Sequence, residues 1–569
     1  MTYREKYDLW CQSPAVDEAT KAELRSIEKN EDEIKLRFDA DLSFGTAGLR
    51  GIMRAGTDAM NVYTVGRATQ GLANCILDAG NAAAARGVAI CYDCRNHSQE
   101  FANLCANILS ANGIPVYLFD EMRPTPVLSF AVLHLNCIAG INITASHNPR
   151  QYNGYKVYWQ GGAQISGEIA SRISAHIAKI DPFTDVLQSR KDELIRTVGK
   201  ELDEAYLACV EQQAVDPEII KAQADALRIV YTPLHGTGRR LVPQILQRVG
   251  IRHLALVSQQ CEPDGNFPTV PFPNPEYPEA FTLGIALAEE IGSDLVVATD
   301  PDADRVGVMA RGKNGTFETI TGNQMGCLLL DYIIGALRRK GALPCGAYAV
   351  KSIVSTALTD RICKENGITL HATYTGFKYI AQAIEAEQRR GCDGFLLGFE
   401  ESYGYLRGSY AKDKDAVVAS LLICEMAAYY HGKGMTLLDA RNEMFRRYGI
   451  FADGVDNFYM EGVDGTARRT AFMQKMREHT PLQIAGEKVR YVRDYLRMQC
   501  RDLQSGAVTP CAKESADMLC FETENGNCII VRPSGTEPKV KLYYQIHGDS
   551  AQQTQEKIKA ISKEMNALL

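Results

Sequence analysis

The segment Thr144-Ala-Ser-His-Asn-Pro places Ser146 beside His147 and ten residues before Lys156. It directly follows the apolar run 137–143, which is typical of a buried strand. A serine that leaves a strand next to a base and a cation has the composition of an activated nucleophile. The same residues are also typical of a polar loop that caps a helix, and their spacing alone does not separate the two interpretations.

A second segment, Asp300-Pro-Asp-Ala-Asp-Arg, places carboxylates at alternate positions after a strand-like run. In an extended backbone Asp300, Asp302 and Asp304 point to one side, so their oxygens can converge on a hard cation. The alternatives are a solvated turn and an EF-hand loop. The EF-hand is excluded, because its sixth position is Arg305 instead of Gly and its twelfth is Arg311 instead of Glu.

Two more polar loops follow strand-like runs later in the chain. Gly398-Phe-Glu-Glu-Ser-Tyr-Gly404 contains Glu400 and Ser402, and a carboxylate can accept hydrogen bonds from two neighbouring sugar hydroxyls. A plain turn is the alternative for this loop. The other loop, Arg532-Pro-Ser-Gly-Thr-Glu-Pro538, has the groups of a phosphate cradle: a guanidinium, two hydroxyls and a glycine N–H, from Arg532, Ser534, Thr536 and Gly535.

These four loops, in this order, resemble those of the α-D-phosphohexomutases, the phosphoglucomutase/phosphomannomutase superfamily. The resemblance covers nearly the whole chain. It implies that Ser146 carries a phosphoryl group, and that Asp300, Asp302 and Asp304 hold one Mg²⁺ together with a phosphoserine oxygen. It also implies that Glu400 and Ser402 bind the sugar's 3- and 4-hydroxyls, and that the Arg532 loop binds the distal phosphate.

The resemblance assigns roles to several further residues. Arg50, in the glycine-rich stretch 44–51, matches an arginine beside the phosphoserine, where a guanidinium can hold phosphate bidentately. His147 and Lys156 are the alternative proton carriers, and the sequence does not choose between them. The remaining predicted substrate contacts are Arg305 and the second specificity loop, which contains Thr375, Gly376 and Lys378.

The resemblance implies an isomerase that interconverts α-D-glucose 1-phosphate and glucose 6-phosphate, with glucose 1,6-bisphosphate as intermediate and activator. Mannose and pentose phosphates stay open as substrates. The loop after Glu400 lacks the histidine of the usual phosphomannomutase form, which favours glucose. A glucose 1,6-bisphosphate synthase, a metal-dependent phosphatase and a catalytically silent sugar-phosphate sensor are three further candidate functions.

The composition of the chain limits which classes of protein are possible. The chain has 569 residues, 46% of them hydrophobic, and a formal net charge of −7, which argues against a nucleic-acid-binding protein. We expect no signal peptide, no membrane span and a cytoplasmic location. The 17 cysteines include a lone Cys91-x-x-Cys94 pair, which we interpret as small buried residues of a reduced protein. The oligomeric state is left open.

Three segments share one order of elements, strand–helix–strand–helix–strand, and each ends at one of the polar loops. This predicts three doubly wound α/β sheets, parallel or mixed, around a central cleft, with a C-terminal α+β domain. A turn is expected at Asn153-Gly154. The predicted domains are residues 1–205 with the phosphoserine, 206–322 with the metal, 323–455 with the sugar loop and 456–569 with the distal phosphate loop.

Overall fold

A computed structural model describes residues 1–45, 48–460, 465–512, 514–534 and 539–567. The chain forms four units, each built on one β-sheet. Among the helices in these ranges, none has both the length and the hydropathy needed to cross a membrane.

The first unit has a six-stranded sheet in the order β1-β5-β4-β2-β3-β6. Strands β2, β3, β4 and β6 are parallel, whereas β5 and β1 run antiparallel to their neighbours. Strands β2 and β4 are buried along their whole length because helices cover both faces of the sheet. Its elements are α1 (Tyr3–Gln12), α2 (Glu18–Ser26), α3 (Glu31–Phe38), β1 (Gly48–Ile52), α4 (Val62–Asp78), α5 (Asn81–Ala84), β2 (Val88–Tyr92), α6 (Ser98–Ala111), β3 (Val116–Phe119), α7 (Thr125–His134), β4 (Ala139–Ile143), β5 (Tyr152–Trp159), α8 (Gly167–Ile177), β6 (Ile195–Val198) and α9 (Lys200–Glu211).

The second and third units repeat this plan with five and four strands, in the orders β11-β10-β9-β7-β8 and β13-β12-β14-β15. The second contains α10 (Pro217–Ala222), β7 (Arg228–Thr232), α11 (Gly238–Arg248), β8 (His253–Leu256), α12 (Thr282–Ile291), β9 (Leu295–Thr299), β10 (Val306–Arg311) and β11 (Phe317–Ile320). The third contains α13 (Gly322–Arg339), β12 (Tyr348–Ser352), α14 (Leu358–Asn366), β13 (Thr369–Thr373), α15 (Phe377–Arg389), β14 (Phe395–Glu400), β15 (Gly404–Leu406), α16 (Ala416–His431) and α17 (Leu437–Tyr448).

The fourth unit is an antiparallel sheet in the order β16-β23-β22-β21-β18-β19-β20, with β17 paired to β18. One face of the sheet packs against α18 and α19 through apolar side chains such as Phe472 and Ile561. Its elements are β16 (Ile450–Tyr459), α18 (Gly465–Glu478), β17 (Gln483–Ile484), β18 (Glu487–Asp494), β19 (Gln499–Asp502), β20 (Val508–Pro510), β21 (Leu519–Thr523), β22 (Cys528–Pro533), β23 (Lys539–Gly548) and α19 (Ala551–Asn566).

The predicted fold class is confirmed, since β2-α6-β3-α7-β4 and its two counterparts are the three predicted repeats. The predicted turn at Asn153-Gly154 is wrong, because both residues lie within β5. Glycine is required there for space, since a Cβ at Gly154 would lie 2.5 Å from the Thr144 carbonyl oxygen. The predicted domain boundaries stay predictions, because sheet membership does not define where a domain begins.

The fourth unit contacts the third through one face of its sheet. Asp453 and Gln545 lie directly opposite each other in β16 and β23. The Gln545 amide donates to the carbonyl oxygens of Ile353 and Ser355. Burial raises the pKa of Asp453 to about 7, although the nearby Lys351 ammonium opposes this shift.

The raised pKa of Asp453 predicts that Asp453→Asn stabilises the folded protein and that the gain in stability depends on pH. The folded protein keeps a proton that the unfolded chain, with an ordinary pKa near 3.9, has lost, so wild type loses stability between about pH 4 and pH 7. We expect the variant to be more stable than wild type by about 4 kcal/mol at pH 8 and equal to it near pH 4. Thermal unfolding at the two pH values tests this, with the exposed Asp549→Asn as control. An equal difference at both pH values would contradict it.

Candidate active site

Ser146 lies in the loop after β4, in a left-handed backbone conformation with φ of 52°. Its amide donates to Thr144 Oγ1 at 2.8 Å. The buried Arg95 guanidinium donates to the carbonyl oxygens of this loop, at Ser146, Asn148, Pro149 and Tyr152. Arg95 therefore fixes the loop that presents Ser146. Sequence reasoning missed it, because an arginine in a polar stretch gives no sign of burial.

The Ser146 hydroxyl reaches across to the second unit. Its Oγ donates to Asp300 Oδ2 at 2.8 Å, and His147 Nδ1 lies 3.2 Å from the same Oγ. The candidate nucleophile and the first carboxylate of the aspartate loop are thus in direct contact, although 154 residues separate them.

The three aspartates converge as the sequence predicted. Asp300, Asp302 and Asp304 are buried, and one oxygen from each lies within 4.8 Å of the others. Burial, Asp302 and Asp304 raise the pKa of Asp300 well above its usual value. Within the described ranges, Asp302 Oδ1 and Asp304 Oδ1 have no hydrogen-bond partner. Buried carboxylate oxygens without donors fit a hard divalent cation.

Two ammonium groups contact the aspartate cluster through the oxygens that are not among the unpartnered ones. Lys156 Nζ donates to Asp302 Oδ2 at 2.9 Å, and Lys414 Nζ lies 3.1 Å from Asp304 Oδ2. Burial opposes ionisation of Asp302, but Lys156 holds its pKa below the usual range. Sequence reasoning missed Lys414. The run 412–415, two lysines and two aspartates before an apolar helix, was the available signal.

Two arginines lie close enough to His147, the neighbour of Ser146, to affect its pKa. Arg50 lies in β1, opposite Gly154 of β5, and donates to Asn148 Oδ1 at 3.0 Å. Arg305 donates to Glu276 Oε1 at 2.6 Å, a partner that the sequence did not indicate. Burial first, and then Arg305 and Arg50, lower the pKa of His147 well below its usual value. Burial and the two guanidinium groups thus favour the neutral form of the imidazole beside Ser146.

The two predicted sugar loops meet in the third unit. Glu400, at the end of β14 and 5% exposed, accepts a hydrogen bond from the Gly376 amide at 2.6 Å. The Thr375 hydroxyl is buried and has no partner among the described residues. Burial lowers the pKa of Lys378, whose ammonium lies 5.2 Å from the centre of the Tyr379 ring. Ser402 follows in the half-buried turn between β14 and β15.

The predicted distal phosphate loop is described only in part, because Gly535 and Thr536 lie outside the described residues. Arg532 lies in β22, opposite Lys541 of β23. The Ser534 carbonyl oxygen accepts a hydrogen bond from Arg469 at 3.1 Å. The Arg532 guanidinium lies close enough to Tyr543 to lower the phenol's pKa, which burial and Glu401 raise. Arg532 is therefore near the sugar loops.

The loop of residues 232–238 packs against the aspartate loop, residues 300–305, and supports it. Its Thr237 amide donates to the Pro301 carbonyl oxygen at 2.8 Å. The imidazole of His235 contacts the Glu262 carbonyl and the Thr269 hydroxyl, so this loop is tied to the segment 262–269.

Comparison with known proteins agrees with this geometry. Sequence models of the phosphoglucomutase/phosphomannomutase family match the chain in order: α/β/α domain I over residues 41–183, domain II over 204–313, domain III over 321–448 and the C-terminal domain over 486–562.

The chain belongs to the phosphoglucomutase/phosphomannomutase family. The predictions of the family and of an intramolecular phosphotransferase are confirmed at this level. Phosphoglucomutase from Staphylococcus aureus (strain USA300) is 35% identical over 562 residues, 97% of this chain and 98% of its own. Phosphoglucomutase from Staphylococcus epidermidis (strain ATCC 12228) is 38% identical over 516 residues, 90% of this chain and 92% of its own.

Solved structures share the fold. A phosphoglucomutase/phosphomannomutase family protein from Burkholderia thailandensis has a TM-score of 0.64 at 19% identity, covering 92% of this chain and 97% of its own. The open form of parafusin, a phosphoglucomutase from Paramecium, has a TM-score of 0.67 at 18% identity, covering 93% and 94%. At these identities the likeness extends to the fold alone.

The contact between the two loops predicts that Gly236→Ala disturbs the aspartate loop. A Cβ at Gly236 would lie 2.5 Å from Pro301 Cα, so backbone must move. We expect a loss of about 2 kcal/mol in stability and weaker Mn²⁺ binding. Thermal unfolding and Mn²⁺ titration test this. Gly161→Ala is the matched control, because nothing lies within 4 Å of its new Cβ. Unchanged Mn²⁺ affinity in Gly236→Ala would contradict the supporting role.

Proposed function

We propose that this protein is a phosphoglucomutase that interconverts α-D-glucose 1-phosphate and glucose 6-phosphate through a phosphorylated Ser146. The observation that carries the proposal is the contact between Ser146 Oγ and Asp300 in a buried three-aspartate site. The phosphoglucomutases of staphylococci, which align with almost the whole chain, support the choice of sugar.

The buried aspartates suit one Mg²⁺, held by Asp300, Asp302, Asp304 and an oxygen on Ser146. Asp302 Oδ1 and Asp304 Oδ1 are buried and lack hydrogen-bond donors within the described chain, which supports this assignment. When bound, Mg²⁺ supplies neutralisation of the charge on the transferring phosphoryl group.

The chain's own residues bind and orient the reacting groups. Phosphorylated Ser146 gives its phosphoryl group to the free sugar hydroxyl: the Oγ–P bond breaks and a new O–P bond forms, which gives glucose 1,6-bisphosphate. After the bisphosphate has turned in the cleft, Ser146 takes back the other phosphoryl group. Arg50, which donates to Asn148 in the loop of Ser146, and Arg305, which lies next to Asp304, supply positive charge for the transfer.

The proton that the sugar hydroxyl releases needs an acceptor near Ser146. His147 lies 3.2 Å from Ser146 Oγ, and Lys156 lies on the neighbouring strand, paired with Asp302. The neutral imidazole favoured for His147 can accept this proton, whereas Lys156, an ammonium that donates to Asp302, can give a proton to a leaving oxygen.

The rest of the substrate is held by the third and fourth units. Glu400 and Ser402 bind sugar hydroxyls, and the specificity loop next to Glu400 completes the site with Thr375, Gly376 and Lys378. The non-reacting phosphate binds the distal loop, which contains Arg532, Ser534, Gly535 and Thr536. Holding this phosphate far from Ser146 keeps the other end of the sugar at the phosphoserine while the cleft excludes water.

A coupled assay of glucose 6-phosphate formation from glucose 1-phosphate tests the proposal. It contains Mg²⁺ and a trace of glucose 1,6-bisphosphate, with mannose and ribose 1-phosphates in parallel. We expect preference for glucose and a loss of at least about a thousandfold in Ser146→Ala, because the acceptor oxygen is gone.

The remaining outcomes of this assay each point to a different function. Faster turnover of mannose or ribose 1-phosphate would replace glucose as the substrate. Accumulation of glucose 1,6-bisphosphate would indicate a bisphosphate synthase, and stoichiometric release of inorganic phosphate a phosphatase. No turnover of any of these sugars by the phosphorylated, Mg²⁺-loaded protein would refute the mutase proposal.

The contact between Glu400 and Gly376 predicts the effect of Glu400→Gln. The amide oxygen can still accept the Gly376 N–H, but it is a weaker acceptor for sugar hydroxyls than the carboxylate. We expect kcat/KM to fall by about tenfold to a hundredfold, with Ser146 phosphorylation from glucose 1,6-bisphosphate retained. Steady-state kinetics and intact-mass measurement test this. Glu385→Gln, an exposed change in the same unit, is the control. An unchanged kcat/KM would remove Glu400 from the sugar site.

A further inference from the structure

Lys414 has two anionic partners that come from different units. Its Nζ lies 3.1 Å from Asp304 Oδ2 in the second unit and 3.1 Å from Asp413 Oδ1 in the third. All three side chains are buried, with exposed fractions of 9% or less. Lys414 is therefore part of the aspartate site, although it lies 110 residues further along the chain.

Asp413 is itself fixed from both sides. Its Oδ2 accepts hydrogen bonds from the Tyr158 hydroxyl at 2.6 Å and from the Gln164 amide at 3.0 Å, both in the first unit. Its Oδ1 also accepts from the Lys414 backbone amide at 2.8 Å. A continuous chain of contacts thus runs from Tyr158 through Asp413 and Lys414 to Asp304, and it joins three units.

Each of the two lysines contacts the Oδ2 atom of a different aspartate. Lys156 takes Asp302 Oδ2 and Lys414 takes Asp304 Oδ2, while both Oδ1 atoms stay without hydrogen-bond partners in the described parts of the chain. Asp302 Oδ1 is thus left without a partner, while Arg305 Nε lies 3.7 Å from Asp304 Oδ1, beyond hydrogen-bond distance. Three aspartates and two lysines leave a net charge of −1 in this cluster before Arg305 is counted.

We propose that Lys414, held in place by Asp413, is a positioning residue that orients Asp304 and weakens cation binding at the aspartate site. The inference rests on the metal site of the proposed function. A positive charge on the far side of a buried ligand repels an incoming cation, and at short range in a protein such a charge changes affinity on the order of tenfold or more. Asp413 limits this effect, because it shares the ammonium with Asp304.

The arrangement makes cation affinity depend on how the units are packed. Asp304, Lys414 and Tyr158 belong to the second, third and first units, so their contacts exist only when all three units meet. The two ammonium groups then offset part of the negative charge of the carboxylates when no cation is bound.

Mn²⁺ binding to the full-length, dephosphorylated protein tests the inference, with free Mn²⁺ measured by electron paramagnetic resonance. We expect Lys414→Met to bind Mn²⁺ about tenfold more tightly than wild type, because one opposing charge is removed. Asp413→Asn should bind it several-fold more weakly, because the Lys414 ammonium then has Asp304 as its remaining anionic partner. The two variants therefore shift the affinity in opposite directions, whereas loss of structure would weaken binding in both.

Two further variants complete the experiment. Lys414→Arg keeps the charge and should retain an affinity within about twofold of wild type. Lys412→Met removes the charge of a neighbouring lysine, whose ammonium donates to Gln388. This variant should leave Mn²⁺ affinity unchanged. If Lys414→Met fails to fold, Lys414→Gln, which is also uncharged but can still donate a hydrogen bond to Asp304, takes its place and should likewise bind Mn²⁺ more tightly than wild type.

The outcomes separate this inference from the proposed metal site. Absence of Mn²⁺ binding to wild type would refute the metal site and the inference with it. Binding to wild type combined with unchanged or weaker binding in Lys414→Met would refute only the role of Lys414. Unchanged binding in Asp413→Asn would show that Asp413 does not share the ammonium.

Discussion

The mutual repulsion of three buried aspartates is the constraint on which the rest of the structure depends. Placing Asp300, Asp302 and Asp304 out of water and within 4.8 Å of each other is costly unless opposite charges compensate it. The compensating groups, Lys156 and Lys414, come from the first and third units. The aspartate loop therefore needs its neighbours, and packing of the units and assembly of the site are one event.

The backbone at Ser146 is also energetically unfavourable. A serine with φ of 52° is strained, and the Arg95 contacts with four loop carbonyls offset that strain. The result is a hydroxyl that projects beyond its own sheet to Asp300. The Arg95 contacts within the first unit and the Ser146–Asp300 contact between the units thus place the candidate nucleophile at the candidate cation site.

Much of this could be predicted from the sequence, because it depends on local pattern. Apolar runs followed by polar loops located the third strand of each repeat, and the rule that ligands bind at the carboxyl ends of strands brought Ser146, Asp300 and Glu400 together. Lys414 could not be predicted in this way. A short run of alternating charges looks like a solvated turn, and its partners are distant in the chain. Asn153-Gly154 misled for the opposite reason: the pair is typical of turns, but close packing against Thr144 requires the glycine.

Each repeat has one further, antiparallel strand that the alternation of strands and helices in the sequence does not predict. Antiparallel strands β5, β10 and β15 follow the three functional loops, with Asn142 opposite Lys156, Thr299 opposite Val306 and Glu400 opposite Gly404. A loop anchored to strands at both ends is stiffer than one that leads into a helix. The β4–β5 pair thus fixes Ser146 and Lys156 on one hairpin. In the proposed reaction the hairpins hold the reacting groups in place and the sugar turns between them. The fourth unit, which contributes Arg532, lies against the third of these hairpins, because burial and Glu401 in the β14–β15 turn raise the pKa of Tyr543 in β23. The hairpin that carries Glu400 therefore also links the third unit to the sheet that carries Arg532.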